Sequence, residues 1–199
     1  MNLIDYSKPK IILTMGTVAC GKSTWAKEQL RLFPNKIKLV CKDDLREMLD
    51  CGISSKGNEI FLLGIRDHVI QEAIKSGKSV IVADTNLSAK HESHIATLAH
   101  GRVEMEIVFF DISLETCLKR DKERTVPIGA KVVRSMERAF LDQKRSLASK
   151  TYKVHIITES DQEKENLGTV VVNTEEKYIQ DPSLPHCIIY DIDGTVALM

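Results

Sequence analysis

The sequence predicts an α/β fold, a parallel β-sheet flanked by helices, and three observations predict it. Short β-rich apolar runs alternate along the chain with stretches of helical spacing. Several runs, such as SVIVA at 79–83, are apolar without alternation, the pattern of strands buried on both faces. The first run passes straight into a glycine-rich turn and then a helix-like stretch, the layout of a right-handed βαβ unit.

The elements follow in order. A strand is expected over 10–15 (KIILTM), and helical spacing over 23–33 stops at Pro34. A second strand covers 37–41 (IKLVC). A helix begins near Asp44, and a longer one over 58–76 ends at Gly77. The third strand is 79–83. Residues 88–99 are helical, with Gly101 as terminator, and 103–110 alternates as a fourth strand. Two helices cover 113–123 and 129–148. Beyond them ESDQEKEN at 159–166 is charged, poor in apolar residues and expected to be solvated. Residues 170–172 are a candidate small strand, and QDPSLP at 180–185 is linker-like.

Composition narrows the class. The chain of 199 residues has room for one well-buried domain and an extension. Its 28 basic and 28 acidic side chains cancel, which excludes a histone-like cationic coat but not a local basic cleft. Five scattered cysteines, with no CxxC pair, argue against a disulfide framework or a zinc site and for a reducing compartment. The N-terminus lacks a signal-peptide pattern, and no apolar run approaches the roughly 20 residues that span a bilayer. A soluble, cytoplasmic protein is expected.

The strongest motif is G-T-V-A-C-G-K-S at 16–23, a match to G-x-x-x-x-G-K-[ST] with a strand before it and a helix after it. Gly16 and Gly21 permit a tight turn and close approach to an anion. Backbone amides from Thr17, Val18, Ala19 and Cys20 onward then point at phosphate oxygens. Lys22 supplies a point charge, Ser23 a hydroxyl for Mg²⁺, and Thr24 follows on the helix. The predicted fold is thus a P-loop NTPase-type sheet that binds ATP with Mg²⁺. Cys20 reads either as a thiol primed by the helix N-terminus or as a small residue that fits the loop.

Three further segments sit where open α/β sheets bind ligands, at strand carboxyl ends or above them. Asp43, in KDDLR after the second strand, is placed to take a proton from an acceptor hydroxyl, and Arg46, one turn later, to hold an acceptor phosphate. Asp43 or Asp44 equally suits a helix cap. Asp84, Thr85 and Asn86 end the third strand. There an aspartate either holds Mg²⁺ or its waters, or caps the helix over 88–99. KRDKER at 119–124 reads as a helical lid whose arginines close over a triphosphate, or as a solvated helix face. His91 and His94 lie one turn apart, without a pattern that suggests metal binding.

Taken together, GTVACGKSTWAKEQL, KDDLREML, VIVADTNLSAKHES and KRDKERTVPIGAKVVRSM resemble the kinase domain of the phage polynucleotide 5′-kinase/3′-phosphatase family, over roughly residues 10–150. The resemblance implies transfer of the γ-phosphate of ATP to 5′-hydroxyl ends of DNA or RNA. It implies Lys22, Asp43 and Arg124 as catalytic residues, with Asp43 as general base and Arg124 on the transferring phosphoryl group. Arg120 becomes a second lid position at the nucleotide, and Arg46 the contact to the acceptor's 3′-phosphate. Asp84 matches the family's strand-end aspartate. Lys42 stands where the phage prototype has arginine, and the lid segment before Val126 is a little shorter. The phage resemblance makes host cytoplasm the expected site.

IIYDIDGTV at 188–196 resembles the opening motif of haloacid-dehalogenase-type phosphatases, with Asp191 as nucleophile and Asp193 as general acid. The later lysine and acidic ligands of such enzymes are absent from the sequence, so no independent phosphatase activity is expected. The expected organisation is a kinase domain over 1–155, an extension over 156–186, and the start of a phosphatase domain over 187–199. Two alternatives share most of these features: a small-molecule P-loop kinase acting on a nucleoside or sugar, and a non-catalytic module that binds ATP and nucleic-acid ends.

Overall fold

The structure is a computed structural model that describes residues 3–167 and two short strands, at 189–190 and 196–197. The chain divides into two units, Met1–Leu167 and Gly168–Met199. The first is built on five parallel strands in the order β2-β3-β1-β4-β5. These are β1 (Lys10–Met15), β2 (Ile37–Val40), β3 (Ser79–Val82), β4 (Glu104–Asp111) and β5 (Lys153–Thr158). The helices between them are α1 (Lys22–Leu32), α2 (Lys42–Asp50), α3 (Lys56–Lys75), α4 (Ala89–Ala99), α5 (Leu114–Lys122), α6 (Ala130–Ser135) and α7 (Glu137–Ser146), with α8 (Glu159–Leu167) following β5.

The sheet is buried on both faces, and the pleat sends alternate side chains of each strand to different cores. Ile12 of β1, with Val108 and Phe110 of β4, meets Trp25 and Ala26 of α1 and Cys117 of α5. Ile11, Leu13 and Met15, with Ile107 and Phe109, meet Ile70 of α3, Ile95 of α4 and Phe140 of α7. Phe109 and Phe140 stack at 5.2 Å, and Trp25 meets Phe110 edge-on at 6.0 Å. Because β1 lies between β3 and β4, the loops after these three strands converge at their carboxyl ends.

Three expectations are corrected. The second helix starts at Lys42, not Asp44, because a carboxylate from β3's carboxyl end caps it from outside. β4 does not alternate: Met105 to Phe110 are all buried, the charged Glu106 among them. The helix expected over 129–148 breaks at Met136, whose amide tightens to an i→i+3 bond on Val133 O at 3.2 Å. The segment over 159–166 lies in a helix, and the first unit runs to Leu167. β5, not expected from the sequence, completes the sheet beside β4.

In the second unit, β6 (Ile189–Tyr190) and β7 (Val196–Ala197) pair antiparallel. Asp191, Asp193, Cys187 and the candidate strand over 170–172 lie outside the described residues. Among the described residues no helix is long and apolar enough to cross a membrane.

Toward the amino ends of the strands, Glu106 accepts from Lys10 Nζ at 2.6 Å and pairs with His155 Nε2 at 2.7 Å. Burial works to raise the Glu106 carboxyl, but the hydrogen bonds from Lys10 and His155 win and hold it below its ordinary value. A carboxyl lowered on folding stabilises the protein fully above its unfolded pKa, about 4.3, and this stability is lost as pH falls through the folded value. Glu106→Gln leaves Lys10 buried without its counter-charge and is expected to cost about 3 kcal/mol at neutral pH, with the gap to wild type closing below about pH 4. Urea denaturation at both pH values checks this.

Candidate active site

The loop between β1 and α1 is shaped by contacts that leave no room for larger residues. Gly16 has φ 158°, and a Cβ there would lie 2.6 Å from Cys20 Sγ. Gly21 has φ 99°, a left-handed conformation, and caps α1. Ala19 is also left-handed. Thr17 and Val18 are buried, and the Thr17 hydroxyl meets Cys117 Sγ at 3.1 Å. Cys20 is fully buried beneath the loop, which favours the small-residue reading over an exposed reactive thiol. Ser23 and Thr24 open to solvent in the first turn of α1.

Lys22 folds back on the loop. Its Nζ donates to Thr17 O at 2.5 Å and Gly16 O at 3.1 Å, and lies 3.4 Å from Cys20 Sγ. The ammonium is thus enclosed by the loop that surrounds a phosphate in sites of this type.

The segment after β3 ties the loop to its neighbours. Gly16 N–H donates to Thr85 O at 3.1 Å. Asn86, left-handed at φ 49° and 1 % exposed, donates from Nδ2 to the carbonyls of Thr14, Val82 and Asp84 at 2.8–3.2 Å. Its Nδ2 is thus committed to main-chain carbonyls between β1 and β3, while Oδ1 has no hydrogen-bond partner among the described residues. Thr85 remains partly exposed.

Asp84 does not cap α4, whose N-cap residue is Ser88. Its Oδ1 accepts instead from the Lys42 amide at 2.8 Å, so it caps α2, to which Cys41 supplies no side-chain cap. Neither Asp43 nor Asp44 is the N-cap residue; both stand in the first turn, where negative charge suits the helix dipole. Burial raises the Asp84 carboxyl, against the Lys42 amide and the positive charges of Lys42 and Arg66. Asp84 Oδ2 is buried without a hydrogen-bond partner among the described residues. A carboxylate oxygen that accepts no hydrogen bond among the described residues and the exposed Ser23 hydroxyl are hard-oxygen donors of the kind Mg²⁺ takes, an ion that keeps several waters and needs few protein ligands.

Asp43 and Arg46 are brought together. Arg46 donates to Asp43 Oδ1 at 2.6 Å and to Glu59 Oε1 at 2.7 Å. These bonds raise the guanidinium further above its already high value and lower Glu59. Asp43 is 79 % exposed, so its second oxygen is open to an incoming group.

Arg120 and Arg124 separate. Arg120 donates to Gln162 Oε1 at 2.7 Å, and Gln162 Nε2 donates to Cys20 O at 2.9 Å, so α8 clasps a lid arginine to the phosphate loop. Arg124 is half-exposed, 3.9 Å from Asp121. Asp121 in turn accepts from the amides of Ile128 and Gly129 and so shapes the turn into α6.

A family model described as an AAA domain matches residues 11–149. The chain belongs to the AAA domain family. Its fold is P-loop kinase-like, and solved structures share it. A chain of the Pnkp1/Rnl/Hen1 RNA repair complex superposes with a TM-score of 0.64 at 21 % identity, over 74 % of this chain and 49 % of that one. Chaetomium thermophilum Kti12 in complex with ADP-AlF3 gives 0.58 at 13 %, over 79 % and 93 %. The Mycobacterium tuberculosis APS kinase CysC in complex with AMPPNP and APS gives 0.51 at 19 %, over 80 % and 95 %. The chain spans about half the length of the RNA repair protein it matches.

Sequence reasoning missed two residues of this AAA domain's site, Gln162 and Arg66. Gln162 sits in a helix with no apolar stripe to announce it. Arg66 had a signal: it falls in the helical stripe Leu62, Arg66, Ile70, Ala73, a charge at an apolar position. Asn86→Ala is expected to cost about 2 kcal/mol, since buried carbonyls lose their donor, and to weaken ATP binding with it. Thermal unfolding with and without ATP checks both.

Proposed function

We propose that this chain is an ATP-dependent kinase that phosphorylates the 5′-hydroxyl end of DNA or RNA. The observation that carries the reading is the Asp43–Arg46 ion pair, with Asp43 exposed in the first turn of a helix that Asp84 pins to the strand end beside the phosphate loop. The motif order along the chain supports the choice of acceptor, and so does the fold shared with a chain of an RNA repair complex. Proteins of similar fold that hold ADP-AlF3 or AMPPNP support nucleotide binding at the loop.

ATP binds with its phosphates against the loop amides, and Lys22 exchanges the carbonyls of Gly16 and Thr17 for phosphate oxygens. Ser23 and Asp84 are the residues that would hold Mg²⁺, which would supply positive charge against the phosphates. The acceptor's phosphate draws Arg46 into a bidentate pair, which frees Asp43. Asp43 takes the proton of the 5′-hydroxyl as that oxygen attacks the γ-phosphorus in line. The bond from γ-phosphorus to the β–γ bridging oxygen breaks, and ADP leaves. Arg120 and Arg124 lie on the lid side, where closure would bring their charge to the transferring group.

Asp43→Asn is expected to lower transfer by at least about a hundredfold while ATP binding persists. The assay is label transfer from γ-labelled ATP with Mg²⁺, offered a 5′-hydroxyl oligonucleotide, a nucleoside 3′-monophosphate and free nucleosides. Label on the first two supports the reading, and Arg46→Ala then raises KM for the 3′-monophosphate. Label only on a free nucleoside replaces it with a small-molecule kinase. ATP binding without transfer to any acceptor replaces it with a binding module.

A further inference from the structure

Arg66 is the largest side chain buried almost completely in the first unit, 1 % exposed on α3. Taking a guanidinium out of water costs several kcal/mol, and a well-packed apolar residue at the same place is often the more stable choice. The flanking stripe of Leu62, Ile70 and Ala73 is apolar, so packing alone does not call for arginine.

What the guanidinium adds is direction. Nε and Nη2 both donate to Asp67 Oδ1, at 3.1 and 2.8 Å, and Asp67 Oδ2 is held in turn by His94 Nε2 at 2.6 Å. This fixes the plane of the fork and leaves Nη1 aimed at Asp84 Oδ2, 3.8 Å away. Both atoms are buried, and neither has a hydrogen-bond partner among the described residues. The other oxygen of the same carboxylate accepts the Lys42 amide at the start of α2. One carboxylate therefore stands between Arg66 and the helix that carries Asp43 and Arg46.

We propose that Arg66 is a positioning residue for the acceptor side of the site: it orients the Asp84 carboxylate, which holds the first turn of α2 and so sets where Asp43 and Arg46 stand. Its link to transfer rests on the reading of Asp43 and Arg46 given above; its hold on α2 does not. When the carboxylate rotates away from Arg66, the Lys42 amide loses its acceptor and the first turn of α2 loosens. The base then spends less time in line with the phosphorus, and misplacement of that order costs rate without touching the nucleotide loop.

The test uses the full chain with Arg66→Met and Arg66→Lys, the second keeping the charge but not the fork. Amide hydrogen exchange in peptides covering 42–45 is expected to quicken about fivefold in Arg66→Met, the effect of a lost cap, with the sheet peptides unchanged. On whichever acceptor the wild type phosphorylates, kcat/KM for the acceptor is expected to fall by about tenfold to a hundredfold, with KM for ATP within about twofold. Arg66→Lys is expected to show the same pattern at smaller size, and it carries the test if Arg66→Met does not fold. Unchanged exchange over 42–45 in a folded variant overturns the proposal, and so does a parallel loss of acceptor and ATP constants. A wild type that spares the oligonucleotide and labels a small molecule overturns the proposed acceptor and leaves the exchange result to decide for Arg66.

Discussion

The ligand end of this AAA domain depends on the hydrogen bonds that tie the segment after β3 to the end of β1. Thr14 Oγ1 donates to the carbonyls of Val82 and Asp84, and Asn86 Nδ2 donates back to Thr14 O. Thr85 O takes the Gly16 amide, and Asp84 Oδ1 takes the Lys42 amide. Three consecutive residues thus fix the root of the phosphate loop on one side and the start of α2 on the other. Parallel strands leave their carboxyl ends with unpaired groups. Here those groups hold the two loops that must keep a constant distance if a donor phosphate and an acceptor hydroxyl are to meet.

The resting contacts in the site are between groups that a substrate would separate. Lys22 is bound to loop carbonyls, Arg46 to Asp43 and Glu59, and Arg120 to Gln162. Each cation is held by a neutral or acidic neighbour, so none is left without a partner before phosphate arrives. Exchange of those partners for phosphate oxygens is cheap, because one charge-assisted bond replaces another. In the proposed reaction the Arg46 exchange also has a chemical result, since it would release Asp43, the proposed base.

The parts of this architecture that are local in sequence were legible there. The strand–glycine–helix context of residues 10–33 carries its reason within a few residues. What was not legible depends on distant partners. β5 is an edge strand whose pattern mixes exposed and half-buried positions, with Ile156 half-exposed, so it shows neither clean alternation nor an apolar run. α8 has no apolar face, and its place is set by Gln162 on the loop and by Glu159 on the Ser113 amide. Whether Asp84 caps α4 or α2 is a question of space, and the residues around it read the same either way.

The two groups of buried charge differ in a way that separates stability from function. Toward the amino ends, Lys10, Glu106 and His155 satisfy one another with short bonds. A network of that kind fixes a core and gains nothing from a ligand. Toward the carboxyl ends, Arg66 Nη1, Asp84 Oδ2 and Asn86 Oδ1 are all buried without partners among the described residues. A buried polar atom left unpaired costs on the order of 1–3 kcal/mol. Such a cost persists where the free valence has a use, and these three atoms line the strand end that faces both loops. Asp84 joins the two roles, because one of its oxygens is committed to α2 and the other faces Arg66 Nη1 at 3.8 Å without a hydrogen bond among the described residues. A metal ion or its waters that engaged Oδ2 would act on the same carboxylate that α2 leans on and that Arg66 is proposed to orient, which would couple the donor side to the acceptor side through a single side chain.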